Sequence, residues 1–214
     1  MMSEDQVIVW ESREVGVLLA LVGGFLESYT YLLHGGVFAN AQTGNMVLLT
    51  LSLAHQEWGQ VFYYLVPILS FFIGAAVTEV LKLQKRWHEA VIGVEIVLLF
   101  FIGFYPLTAP SLMVNLVISF ICSMQVSTFR KIQGAAYATT FCTGNLRSAA
   151  QSWMDYYLFK NEAEKAKGHN YLLIISSFCF GAFMGAMLIP FLKTWTVWIC
   201  CLMLIRVFFK IRKR

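Results

Sequence analysis

An all-α integral membrane protein, with six transmembrane helices and two re-entrant half-helices in an inverted 3+3 repeat, is the fold the sequence predicts. Three observations lead there. Of the 214 residues, 58% are apolar and 13% charged, against about 45–50% and about 25% in a soluble domain, so polar side chains are too few to cover a surface facing water. Two apolar runs carry the same internal tripeptide, Thr43-Gly44-Asn45 and Thr143-Gly144-Asn145. Basic residues collect at the ends of apolar runs, where they act as topology signals.

Six runs are long enough, or nearly so, to cross a bilayer, which takes about 20 residues each. They are Val15 to Leu33, Val61 to Leu81, Glu89 to Tyr105, Ser111 to Phe129, Tyr171 to Leu192 and Thr194 to Phe209. The two runs with the tripeptide, Val37 to Ala54 and Tyr137 to Tyr157, are ambiguous. After the first tripeptide only Met46 to Ala54 remains before the polar loop, roughly 14 Å of helix, about half a bilayer core. Charge decides between crossing and dipping. With eight crossings and the N-terminus inside, Lys82, Lys85, Arg86, Arg130, Lys131 and Lys193 would all face outward, six of the 16 basic residues. With six crossings and two re-entrant segments, the outside keeps Lys193 alone. Both termini are then cytoplasmic, including the tail Lys210, Arg212, Lys213 and Arg214.

The chain forms a single membrane domain, 1–214, of two repeats, 15–105 and 111–209. The tripeptides lie 100 residues apart, and a second match pairs Ser70-Phe71-x-x-Gly74-Ala75 with Ser177-Phe178-x-x-Gly181-Ala182. Each half reads span, re-entrant segment, span, span. Three crossings is an odd number, so the second half enters upside down relative to the first.

Composition narrows the function. The net charge of +4 comes without any aromatic-interleaved basic stripe, so nucleic acid is not an expected partner. Cys122, Cys142, Cys179, Cys200 and Cys201 all lie in apolar stretches without a CxxC pair, which argues against a metal site or disulfide framework. No cofactor is implied. The acidic N-terminus lacks the pattern of a cleaved secretory signal, so the first helix is expected to be retained. An enzyme is not expected, since no Ser/His pair, metal cluster or paired carboxylates fall at membrane depth.

The residues that invite chemistry are few. Irregular backbone inside a membrane is tolerated only where protein packs it or a watery cavity is lined by it. In the tripeptides, Gly44 and Gly144 would supply conformational freedom, while Thr43, Asn45, Thr143 and Asn145 would cap short helices starting at Met46 and Leu146. In the inverted arrangement those two helix starts face one another and present free N–H groups to an anion or polar solute. The plainer reading is that they only cap two packed helices. Glu27 lies too deep in the first span to snorkel, and Arg147 is the nearest candidate counter-charge, as a structural pair or as part of a proton or solute site. Glu95, in the third span, is a weaker candidate, and Glu79 and Arg206 lie near span ends where snorkelling accounts for them.

Small and polar residues recur every four positions, as Gly16, Ala20, Gly24 and Ser28 in the first span and Asn115, Ser119, Ser123 and Ser127 in the fourth. With Gly181 and Gly185 they predict close helix contacts, and spare small-residue faces suit a homodimer. His34, His55, His88 and His169 fall at loops or span ends as interfacial residues, and Trp58, Trp87, Trp153 and Tyr105 mark boundaries as an aromatic belt would.

Gly24-Phe25-Leu26-Glu27, Gly35-Gly36-Val37-Phe38 and Gln42-Thr43-Gly44-Asn45 resemble the opening signature of the YoaK family of small bacterial membrane proteins, a family of unknown function. The resemblance extends over most of the chain and includes the second Thr-Gly-Asn. The family typically has Asp where Glu27 stands. What the resemblance implies is a bacterial inner-membrane protein, with no activity or substrate attached. The leading expectation from the residues is a small-solute transporter or channel. In that reading Thr43, Asn45, Thr143 and Asn145 form a central site tuned by Glu27 and Arg147, and a non-transporting structural or accessory subunit is the alternative.

Overall fold

The structure, a computed structural model, describes residues 8–213. The opening residues 1–7 and Arg214, which contribute to the placement of the termini, lie outside the described residues. The described chain forms eight α-helices, α1 (Arg13–Leu33), α2 (Gln42–Ala54), α3 (Trp58–Leu81), α4 (Trp87–Ile102), α5 (Ser111–Thr128), α6 (Cys142–Phe159), α7 (Glu162–Leu192) and α8 (Val197–Arg212), with short 3-10 turns at Val9–Glu11 and Lys193–Thr196. A two-stranded antiparallel ribbon, β1 (Lys131–Ile132) and β2 (Ala135–Ala136), lies between α5 and α6. Each of the eight apolar runs in the sequence corresponds to one helix.

Four helical segments are long and apolar enough to cross a membrane: Arg13–Leu33, Trp58–Leu81, Ser111–Thr128 and the continuous Glu162–Arg212. The last is bent where Lys193 takes φ 49°, dividing α7 from α8. Polarity is distributed for lipid rather than water. Phe72, Phe191 and Leu202 are 72%, 79% and 68% exposed, while Thr30, Asn115, Ser119 and Ser123 are fully buried. Large exposed apolar side chains around a core that holds hydroxyls and amides suit a hydrocarbon solvent, where buried polar groups hydrogen-bond one another.

Local chemistry sets the breaks. Ser12 starts α1 by accepting from the Val15 amide, satisfying one of the free N–H groups of the first turn. After α1 the chain reverses through Gly35 and Gly36, at φ 77° and 72°, values a side chain would strain. The equivalent break after α5 uses Gln133 and Gly134, at φ 47° and 79°, the two positive angles of a tight hairpin turn. Gly44 and Gly144 have no such angle and lie inside helices. The sequence assigns the conformational freedom to the tripeptides and starts the short helices at Met46 and Leu146. The structure instead places the irregular backbone upstream, in residues 34–41 and 129–141, and begins the helices at Gln42 and Cys142.

Packing interleaves the halves. Helix α1 lies along α7, and α5 lies along α3, while α2 rests on α3, α6 on α7 and α4 on α8. A Cβ at Gly24 would collide with the Phe178 carbonyl, one at Gly181 with the Leu21 carbonyl, and one at Gly74 with the Phe120 carbonyl. The Ser70 hydroxyl donates to Leu116 O at 2.6 Å and that of Ser123 to Phe71 O at 2.5 Å, tying α3 to α5. The two copies of Ser-Phe-x-x-Gly-Ala therefore fall on the α3–α5 and α7–α1 contacts. Small residues bring the backbones together, and dispersion with interhelical hydrogen bonds supplies the attraction that lipid does not.

Candidate solute cavity at two helix starts

Both tripeptide asparagines do the same local work. The Asn45 side chain accepts from the Phe38 amide at 3.1 Å and donates to the Phe38 carbonyl at 2.7 Å. Seven residues before Asn145, the Ala138 amide and carbonyl are held identically, at 3.2 and 2.7 Å. Each amide closes the extended segment entering its helix into a loop and satisfies both backbone groups of one residue. Asn45 also donates to Gln42 Oε1 at 2.9 Å, and both asparagines are buried. The sequence expects them to cap the helices that follow, but neither α2 nor α6 has a side-chain cap hydrogen bond. An amide at this position reaches back across the loop instead.

Glu27 projects from α1 toward the start of α2. Its Oε2 accepts from the Asn40 amide at 2.8 Å and from Asn40 Nδ2 at 2.9 Å. Asn40 Nδ2 also donates to Gly23 O at 3.0 Å, fixing the loop to α1. The carboxylate thus occupies the N-terminal end of α2, where helix amides favour negative charge. Arg147 is exposed on α6 and forms no ion pair among the described residues. The counter-charge the sequence suggests for Glu27 is thus replaced by amide donors from its own half.

Thr43, Thr143 and Glu27 line one cavity of about 520 Å³, together with Phe38, Ala41, Gln42, Met46, Thr140, Phe141, Cys142 and Phe178. The starts of α2 and α6 both open onto it. They differ in how they are satisfied. At α2 the Gln42 and Gly44 amides bond to Asn40 O and Ala41 O and Glu27 takes that of Asn40, leaving the Thr43 amide without a protein acceptor among the described residues. At α6 the amides of Cys142, Thr143 and Gly144 have no protein acceptor among the described residues. The Thr140 hydroxyl, on a side chain 4% exposed in the cavity wall, has no partner either. Gly44 lies under the Phe38 ring, whereas Gly144 has open space beside it.

Other polar groups have different roles. His34, expected at an interface, is 1% exposed, with Nδ1 3.3 Å from Ser111 Oγ and its ring against Tyr29. Its carbonyl accepts from Tyr63 and from Asn115 Nδ2, so the polar stripe on α5 is a helix contact at that level. Glu79 pairs with Lys82, and Glu14 with Arg206 and Lys210, so these end charges are partnered rather than simply solvated. Glu95 is 1% exposed on α4, and its Oε1 has no hydrogen-bond partner. No group of metal-ligating side chains occurs among the described residues. A second cavity of about 530 Å³ lies against α3 and α5, but its Ser70 hydroxyl is already bonded and the remaining lining is apolar.

Asn40, Phe38, Thr140 and Phe178 did not emerge from the sequence as site residues. The signal that could have found the first three is the fixed frame of eight residues ending at each tripeptide asparagine, which Phe38 and Ala138 open and in which Asn40 and Thr140 stand at equivalent places.

A helical protein with a lipid-facing apolar surface and a deep carboxylate at a helix start belongs to the polytopic membrane proteins. A family model described as protein of unknown function (DUF1275) matches residues 15–209, and the chain belongs to this family. It is 26% identical over 193 residues to the UPF0700 transmembrane protein YoaK of Bacillus subtilis (strain 168), which covers 85% of this chain and 86% of that protein. No solved structure matches the chain.

Proposed function

We propose that the protein is a small-solute transporter or channel of the bacterial inner membrane, with its solute site in the cavity between the starts of α2 and α6. In this reading α1, α3, α4, α5, α7 and α8 cross the membrane, α2 and α6 are re-entrant, and both termini are cytoplasmic. The halves form an inverted 3+3 repeat, supported by the paired contacts α1–α7 and α5–α3 and by the identical loops at Asn45 and Asn145. The observation that carries the proposal is the shared cavity of about 520 Å³, where two helix starts and Glu27 converge. Discontinuous helices that meet at a cavity are a recurrent way to hold a solute within a bilayer.

Flux into liposomes containing the purified protein tests it. Thr143→Trp would fill the cavity from an exposed helix position, and loss of flux with an unchanged melting temperature is the expected outcome. A broad solute panel that shows no flux, or flux that survives the substitution, rejects transport at this site. Topology has its own test. Single cysteines replacing Glu57 and Glu164, with the native thiols removed, should be labelled from opposite sides of the membrane.

One observation favours the second reading, a structural or accessory subunit without transport. Asn45 and Asn145 direct their polar atoms to their own loops, as packing turns would.

A further inference from the structure

The two helix starts at the cavity are chemically unequal, although their loops are alike. At the entry to α2 an internal carboxylate, Glu27, is bonded to the Asn40 amide and side chain. At the corresponding place on α6 no acidic side chain is bonded among the described residues, and the amides of Cys142, Thr143 and Gly144 are without a protein acceptor. The Thr140 hydroxyl beside them is buried and unpartnered. A buried donor left unsatisfied costs about 1–3 kcal/mol, so the Thr140 hydroxyl calls for a ligand that accepts hydrogen bonds, and the first-turn amides of α6, open at the cavity, add donors beside it. The rest of the wall is Phe38, Phe141, Phe178 and Met46, which suits an apolar body.

We infer that the start of α6 binds the carboxylate of a small monocarboxylic acid whose apolar part lies among Phe38, Phe141 and Phe178, and that Glu27 takes up a proton from solvent as this anion binds. The inference rests on the solute-site reading above and names its substrate class. In the α6 arm the ligand carboxylate takes the place that Glu27 occupies at α2, with the helix end supplying amides and partial positive charge. Two carboxylates in one cavity repel, and sharing a proton relieves the repulsion. No Lys, Arg or His lines the cavity to offset a second negative charge. Of the titratable groups on neighbouring helices, Cys142 of α6 lines the cavity with Glu27, and the buried Cys122 of α5 lies within electrostatic reach of both Glu27 and Glu95, while α7 contributes the apolar Phe178 to the wall. The α6 start, whose positive end has no carboxylate of its own, disfavours a cation there.

Equilibrium binding to the full chain in nanodiscs, with labelled hexanoate as the probe and hexanamide and hexylamine as competitors, tests the inference. Hexanoate should bind at least about tenfold more tightly than hexanamide, as the loss of a charged hydrogen-bonding group implies. Its affinity should fall about tenfold from about pH 6 to about pH 8, and Glu27→Gln should remove that dependence while binding persists. Thr140→Val should weaken hexanoate by about tenfold and Thr140→Ser restore it, which separates the hydroxyl from packing. Equal binding of hexanoate and hexanamide, preference for hexylamine, or no hexanoate binding overturns the inference. If other solutes cross in a manner blocked by Thr143→Trp while hexanoate does not bind, only the substrate class fails. If hexanoate binds and nothing crosses, the transport reading fails and the carboxylate site stands.

Discussion

The Glu27 carboxylate is bonded to both nitrogens of Asn40, the backbone amide at 2.8 Å and the side chain at 2.9 Å. One residue of the α1–α2 loop therefore anchors a deep charge from α1 and, through Gly23 O, the body of α1 as well. Asn40→Ala removes the side-chain donor and leaves the carboxylate less satisfied, so a loss of about 2–3 kcal/mol is expected. Glu27→Gln retains an acceptor oxygen and should lose less than Glu27→Ala. Thermal unfolding of the detergent-purified variants gives the order, and an Asn40→Ala protein as stable as the parent would separate the two residues energetically.

Asn45 and Asn145 provide the strongest test of the loop geometry. Each satisfies an amide and a carbonyl of one residue inside the protein. Replacement by Ala strands both groups, at about 2–4 kcal/mol per site. Replacement by Asp preserves the acceptor but loses the donor and sets a carboxylate against a carbonyl, so it should rescue neither site. Melting temperatures of the four single variants decide, and rescue by Asp would contradict the reciprocal bonding.

Much of the architecture was legible in the sequence because lipid imposes length and apolarity on each span. The runs 15–33, 61–81 and 111–129 lie on α1, α3 and α5 with shifts of a few residues at most. The significance of the matched Ser-Phe-x-x-Gly-Ala stretches is local: Gly74 and Gly181 stand where a Cβ would meet a facing backbone carbonyl, and Ser70 bonds across to Leu116 O. The cavity was legible only in part. Thr43, Thr143 and Glu27 line it, but the partner of Glu27 is an uncharged asparagine of its own loop, a choice no charge pattern reveals. Arg147 points elsewhere, since a position two residues beyond Asn145 lies on another face of the helix. His34 looked interfacial from its place after a span, yet the Gly35-Gly36 reversal folds it under Tyr63 and Asn115.

Glycines at contacts and glycines in open space should respond in opposite ways. A methyl group at Gly181 would meet the Leu21 carbonyl, a backbone atom that cannot move aside cheaply, whereas Gly144 has nothing within 4 Å of the same position. Gly181→Ala should therefore destabilise by about 1–3 kcal/mol through forced separation of α1 and α7. Gly144→Ala, in the first turn of α6 and at an ordinary helical angle, should be neutral or gain about 0.5–1 kcal/mol from the helix preference of alanine. Paired melting curves test both, and equal responses would place the α1–α7 backbones further apart than described.

Stability should also depend on acid through His34, which lies just beyond the end of α1. Burial lowers its pKa from 6.5 to about 4, so the folded protein holds the ring neutral. Above pH 6.5 the ring is neutral in both folded and unfolded chains and contributes no pH dependence. As pH falls below that value the unfolded chain takes up the proton first, and stability is lost progressively until pH about 4, where the folded chain protonates too. The whole loss is about 3 kcal/mol at most, from the 1.36 kcal/mol equivalent of each pKa unit. His34→Gln retains a polar side chain beside Ser111 and cannot titrate, so its melting temperature should fall less steeply across that interval. Parallel curves for parent and variant would assign the acid response to other groups and leave His34 with a packing role alone.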